Sequence, residues 1–230
     1  MWRFLNIGLV VWALVVGLSV AGLSTATVAI AETAPDSIVT VDVVSPYKLI
    51  EDVTAEVLEK IEAHRAKIDE GGSEAEKEQD LRCFFDGIDG VLSRVIDFDW
   101  IARNVMGPYG KTASSAQRAT FSEAFRAGLV ATYGRGLLSY SDQEIVVLPG
   151  AEDYTIKRKI TVRQEIRGAD GNYPLEYTMG LSKAGQWRVI NVIINGINLG
   201  KTFRNQFVQA SQKNGGDIDT VIANWGSEVI

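Results

Sequence analysis

The chain has 230 residues, 46% of them hydrophobic, with 29 acidic against 23 basic side chains and a formal net charge of −6. That length allows one domain with a real core, and the acidic balance argues against a nucleic-acid binder, which needs a basic face. Cys83 is the single cysteine and His64 the single histidine, which excludes an intramolecular disulfide and a usual zinc ligand set.

Arg3 supplies a thin positive start, and no charge follows from Phe4 to Ala31. Leu9 to Val20 is almost continuously apolar, and Ala29-Ile30-Ala31 offers small residues at the positions a signal peptidase reads. This layout predicts a secretory signal over residues 1–31 and one domain over 32–230. The rival reading is an uncleaved membrane anchor, since the uncharged stretch is long enough to span a bilayer.

Residues 32–47 mix Thr, Pro, Asp and Ser and read as an extended leader. Ile50, Val53, Val57, Ile61 and His64 then recur at the spacing of one helix face. Glu70-Gly71-Gly72-Ser73 breaks that helix. A second helix follows, with Leu81, Phe84, Phe85, Ile88, Val91, Leu92 and Val95 inward, and Gly87 and Gly90 predict that it is weak or kinked. Asp97 caps a short helix that stops at Gly107-Pro108. Ser114 and Gln117 form a capping box for the clearest helix. Phe121, Phe125, Leu129, Tyr133 and Leu137 follow at steps of four, a stripe that drifts around the helix.

After Tyr140 the pattern turns to strands. Gln143 to Leu148 is β-rich. Ile156, Ile160, Val162 and Ile166 alternate with polar residues from Thr155 to Glu165. A turn at Asp170-Gly171-Asn172 leads to the alternation of Tyr173, Leu175, Tyr177, Met179 and Leu181. A turn at Lys183-Ala184-Gly185 leads to Trp187–Ile194, apolar on both sides and read as a central strand. Leu199, Phe203, Phe207 and Ala210 return to helical spacing, and Ile218, Val221, Ile222 and Trp225 mark a last short helix. Helices, a hairpin sheet and helices again predict an α+β domain.

Reaction chemistry is hard to find. A Ser-His-Asp or Cys-His site would have to use His64, which sits among Glu, Lys and Arg and reads as a surface or helix-face residue. No phosphate-cradling glycine motif follows a strand. Asp86-Gly87-Ile88-Asp89-Gly90 lacks the later ligands of a calcium loop. No carboxylate pair stands out by spacing. We expect no catalytic residue, no metal and no cofactor. Lys157, Arg158, Lys159 and Arg163 form the densest basic patch, either a solvated strand face or a docking surface for an acidic partner or membrane.

The run from Ile96 to Tyr109 (Ile96-Asp97-Phe98-Asp99-Trp100-Ile101-Ala102-Arg103-Asn104-Val105-Met106-Gly107-Pro108-Tyr109) resembles the MlaC family of periplasmic phospholipid carriers, also called toluene-tolerance proteins. The likeness continues through Ser114, Gln117-Arg118, Phe121, Glu123-Ala124-Phe125-Arg126 and Thr132-Tyr133. It resumes at Trp187-Arg188-Val189, Asn191-Val192, Gly196-Ile197, Leu199, Phe203-Arg204 and Gln206-Phe207. Gly110, where relatives often carry a large aromatic, and Phe203, in place of a common tyrosine, depart from the pattern.

The resemblance implies a curved antiparallel sheet of about four to five strands wrapped by helices, NTF2-like, around an apolar cavity. It implies a periplasmic, monomeric carrier that takes lipid between an outer-membrane lipoprotein complex and an inner-membrane ABC transporter complex of MCE type. A hopanoid-associated branch of the family, a non-carrier adaptor and, last, an enzyme are the alternatives. Joined to the apolar faces above, it makes Val105, Met106, Tyr109, Phe121, Phe125, Leu129 and Tyr133 candidates to line or frame the cavity. From the sheet and the helix after it come Tyr177, Met179, Val192, Ile194, Ile197, Leu199 and Phe203. Lys201 and Arg204 are candidates for the cavity mouth, where they would meet a headgroup.

Overall fold

The computed structural model describes residues 44–141, 143–150, 152–169 and 171–228. The expected signal over 1–31, and the leader up to residue 43, lie outside these. Among the described residues no helix is long and apolar enough to cross a membrane.

Helix α1 spans Pro46–Asp69 and begins before the apolar period that announced it. Pro46 stands in its first turn, where a fixed φ suits the helix and a missing N–H costs nothing. The extended reading of Pro46 and Tyr47 is therefore corrected. Ser73 and Glu76 close a capping box at the start of α2 (Glu74–Val95), which runs unbroken through Gly87 and Gly90. Neither glycine ends the helix, and at Gly87 the α1 side chain of Lys60 lies close against it. A Cβ on Gly87 would sit 3.3 Å from the Lys60 side chain. His64 is buried between the two helices, its ring 5.0 Å from that of Phe84, so of its two readings the helix face holds and the surface does not.

Asp97 accepts a hydrogen bond from the Trp100 backbone N–H and starts α3 (Phe98–Val105). Gly107 turns the chain at φ 59° into a single turn, α4 (Tyr109–Thr112), which the sequence did not announce. Gly110 is buried there, and a Cβ on it would collide with the Arg103 carbonyl oxygen. A larger residue would need α3 and α4 to separate. The Ser114–Gln117 capping box opens α5 (Ser115–Leu137).

Five antiparallel strands follow, paired in the order β1-β2-β3-β4-β5. They are β1 (Glu144–Val147), β2 (Lys159–Gly168), β3 (Gly171–Leu181), β4 (Trp187–Ile194) and β5 (Ile197–Asn198). Strand β2 starts later than its alternation suggested. The Asp153 carboxylate accepts from the Thr155 backbone N–H and hydroxyl, fixing a turn that leaves Ile156 78% exposed. Strand β4 is hydrogen-bonded on both edges, to β3 and to the two-residue β5, and α2, α3 and α6 pack against it. Thr178 pairs with Asn191 and Met179 with Val189, so Ile190 is an extra residue, a bulge that re-aims β4.

Helices α6 (Leu199–Lys213) and α7 (Ile218–Glu228) finish the domain. Phe121, Phe125, Phe203, Phe207 and Trp225 form an aromatic cluster between α5, α6 and α7. A second core holds α1 and α2 against β2 and β3, and a third lies under the sheet's other end around Met179 and Trp187.

Candidate functional site: an apolar cavity between helices and sheet

A cavity of about 240 Å³ lies among α1, α2, α5 and the inner face of the sheet. Helix α1 contributes Ile50, Val53 and Val57, and α2 contributes Ile88, Leu92 and Val95. These are the faces that the three-and-four spacing predicts to point inward. Helix α5 contributes Leu129, Tyr133 and Leu137; the sheet contributes Ile166, Leu175, Val189, Val192 and Ile194. No charged side chain lines the space.

Its polar side chains include three that satisfy one another. Gln164 donates from Nε2 to Thr54 Oγ1 at 2.9 Å, and the Tyr177 hydroxyl donates to Gln164 Oε1 at 2.8 Å. This chain joins α1, β2 and β3, and it lets a buried amide sit in apolar surroundings without the penalty of an unmade bond. Burial pushes the Tyr177 phenol well above its ordinary range, and that of Tyr133 upward as well, so both stay neutral. Such a lining holds apolar matter and offers no ionised group for acid–base work.

Of the candidates named from sequence, Leu129, Tyr133, Tyr177, Val192, Ile194 and Leu199 line the cavity. Met106, Phe121, Phe125 and Phe203 do not. They are buried in the aromatic cluster, where ring partners fill the space, and Tyr109 packs against it. Val105 is buried in the same cluster and touches a separate groove. Met179 belongs to the core around Trp187, and Ile197 is 44% exposed. Lys201 and Arg204 line that separate groove, which shares no residue with the cavity lining.

The sequence reading missed the α1 and α2 walls, together with Gln164 and Thr54. The apolar periods over 50–64 and 81–95 were visible as inward helix faces but were not among the cavity candidates. Gln164 falls on the inward side of the β2 alternation, and a lone amide among Ile160, Val162 and Ile166 was the available signal.

A five-stranded antiparallel sheet, wrapped by helices around an uncharged apolar cavity, defines an α+β fold with an internal greasy space. The sequence pattern of the MlaC family, described as "MlaC protein", matches residues 51–227, and the chain belongs to that family. It is 34% identical over 194 residues to toluene tolerance protein Ttg2D of Pseudomonas putida, covering 84% of this chain and 85% of that one. It is 25% identical over 182 residues to the intermembrane phospholipid transport system binding protein MlaC of Haemophilus influenzae, covering 77% and 79%. A solved structure of a phospholipid-binding protein from Ralstonia solanacearum, in complex with a phospholipid, shares the fold. Its TM-score is 0.65 at 21% identity, over 77% of this chain and 92% of that one.

Proposed function

We propose that this protein is a periplasmic phospholipid carrier that shelters acyl chains in the cavity and ferries them between membrane-bound complexes. The observation that carries this reading is the uncharged cavity bounded by α1, α2, α5 and the sheet. The names of the relatives support it: one is a phospholipid transport binding protein, and a structural neighbour holds a phospholipid. The protein acts by binding rather than catalysis.

Each buried CH₂ is worth about 0.8 kcal/mol, so two long chains supply ample driving force. The same force would hold the lipid too long, and release needs a partner that opens the cavity or accepts the chains. The cavity of about 240 Å³ is smaller than the roughly 300–1,000 Å³ of pockets for drug-sized ligands. A two-chain lipid therefore requires its walls to part.

The test is native mass spectrometry with lipid extraction on protein recovered from the periplasm. Stoichiometric phospholipid is expected. Hopanoid in its place would move the protein to the sister branch, and protein that stays empty when offered either lipid would end the carrier reading.

A further inference from the structure

The separate groove of about 310 Å³ lies between α3, the start of α6 and the outer face of the sheet. Strand alternation puts it behind the cavity: Tyr177 and Val192 face the cavity, while their neighbours Thr178 and Asn191 face the groove. The bulge builds it. With Ile190 inserted, two successive residues of β4, Ile190 and Asn191, turn to the groove side. Asn191 then accepts from the Gly200 backbone N–H at 3.1 Å, and Asn198 accepts from that of Lys201 at 2.9 Å. The approach is close: a Cβ on Gly200 would lie 2.5 Å from Asn191 Oδ1 and would push that side chain off its hydrogen bond.

Lys159, Lys201 and Arg204 converge on this groove from β2 and α6, and no carboxylate lines it, although the chain is acidic overall. None of the three has an ion-pair partner among the described residues. The side-chain oxygens of Asn191 and Asn198 are engaged, and their amide NH₂ groups donate to no other group among the described residues. The groove is rich in donors and wants an anion. Trp100 lines it and is 45% exposed, and Ile197, beside Asn198, is also exposed. Tryptophan and aliphatic residues set among cations are what partitions into the headgroup layer of a bilayer.

We propose that this groove docks the protein onto an anionic bilayer, with lipid headgroup phosphates meeting Lys159, Lys201 and Arg204 and Trp100 entering the interface. The proposal stands apart from what fills the cavity. A docked protein presents the same face to any anionic membrane and needs no protein receptor for its first contact.

The test is co-sedimentation of the whole protein, as the cell produces it, with phosphatidylglycerol-containing vesicles and with pure phosphatidylcholine vesicles. Binding only to the anionic vesicles, weakened by salt, is expected. Each cation near an anionic surface is worth about fivefold in partitioning, so K159Q/K201Q/R204Q together should lower binding about a hundredfold. Trp100→Ala should lower it further on its own background. All these positions are exposed, and the unchanged circular dichroism and lipid content of the variants separate lost docking from lost folding or loading. No binding to anionic vesicles, equal binding to neutral ones, or a triple variant that binds like the parent would overturn the proposal. So would capture by polyglutamate or saturation by inorganic phosphate without vesicle binding, which would assign the groove to an acidic protein segment or a free anion.

Discussion

Phe121 and Phe125 near the start of α5, and Leu129, Tyr133 and Leu137 toward its end, belong to one stripe yet meet different surroundings. The first pair is closed in by rings. Phe121 lies 4.7 Å from Phe207 and 5.0 Å from Trp225, and Phe125 lies 5.3 Å from Phe203, all near edge-to-face. The other three border empty space. At 3.6 residues per turn each step of four drifts about 40°, so the stripe turns about 160° from Phe121 to Leu137. One helix thereby serves a filled core at one end and a cavity at the other. Apolar composition does not separate these outcomes; what stands opposite does.

The contrast can be broken most forcefully at the filled end. Trp225→Ala should cost about 3–5 kcal/mol by denaturant unfolding, because the neighbouring rings cannot close the void. Lipid bound per folded molecule should not change. If it does, the cluster is part of the cavity after all. At the empty end Leu129→Trp should cut lipid loading several-fold while shifting the unfolding midpoint little, and unchanged loading would remove Leu129 from the binding surface. Between the two lies Gln164. Replacing it by Leu strands the Thr54 and Tyr177 hydroxyls, so a loss of about 1–3 kcal/mol is expected, with Tyr177→Phe costing less.

The smallest effect belongs to His64. Its pKa is lowered, chiefly by burial, with Asp80 opposing and Lys67 assisting. Below the unfolded value of about 6.5 the unfolded chain binds the proton more readily, so stability falls as pH drops through that value toward the folded one. His64→Leu should flatten the dependence of the urea midpoint between about pH 7.5 and 5.5. A variant that keeps the slope would place its origin elsewhere.

Helix caps were the most legible features, because Asp97, Ser114 and Gln117 act on their own next few residues. The strand alternation after Tyr140 was equally local, and it failed only where Asp153 folded the chain into a turn. The division of apolar residues between core and cavity was not legible. Met106, Phe203 and Leu199 look alike in sequence, and only the last meets a gap. The groove was invisible for another reason. Lys159, Asn191 and Arg204 come together through a bulge and a glycine contact, neither of which leaves a periodic trace. Lys159 did stand in the basic patch read from the sequence, but Lys157 leaves it to pair with Glu152.

Trp225, whose ring packs on those of Phe121, Phe125 and Phe207, lies in α7, the last helix among the described residues. During synthesis Phe121 and Phe125 emerge about a hundred residues before the ring that completes their packing. A growing chain therefore cannot close this aromatic core until α7 has been made. For a protein expected to carry an export signal, this order is a built-in delay: the ring that completes the cluster arrives long after its partners.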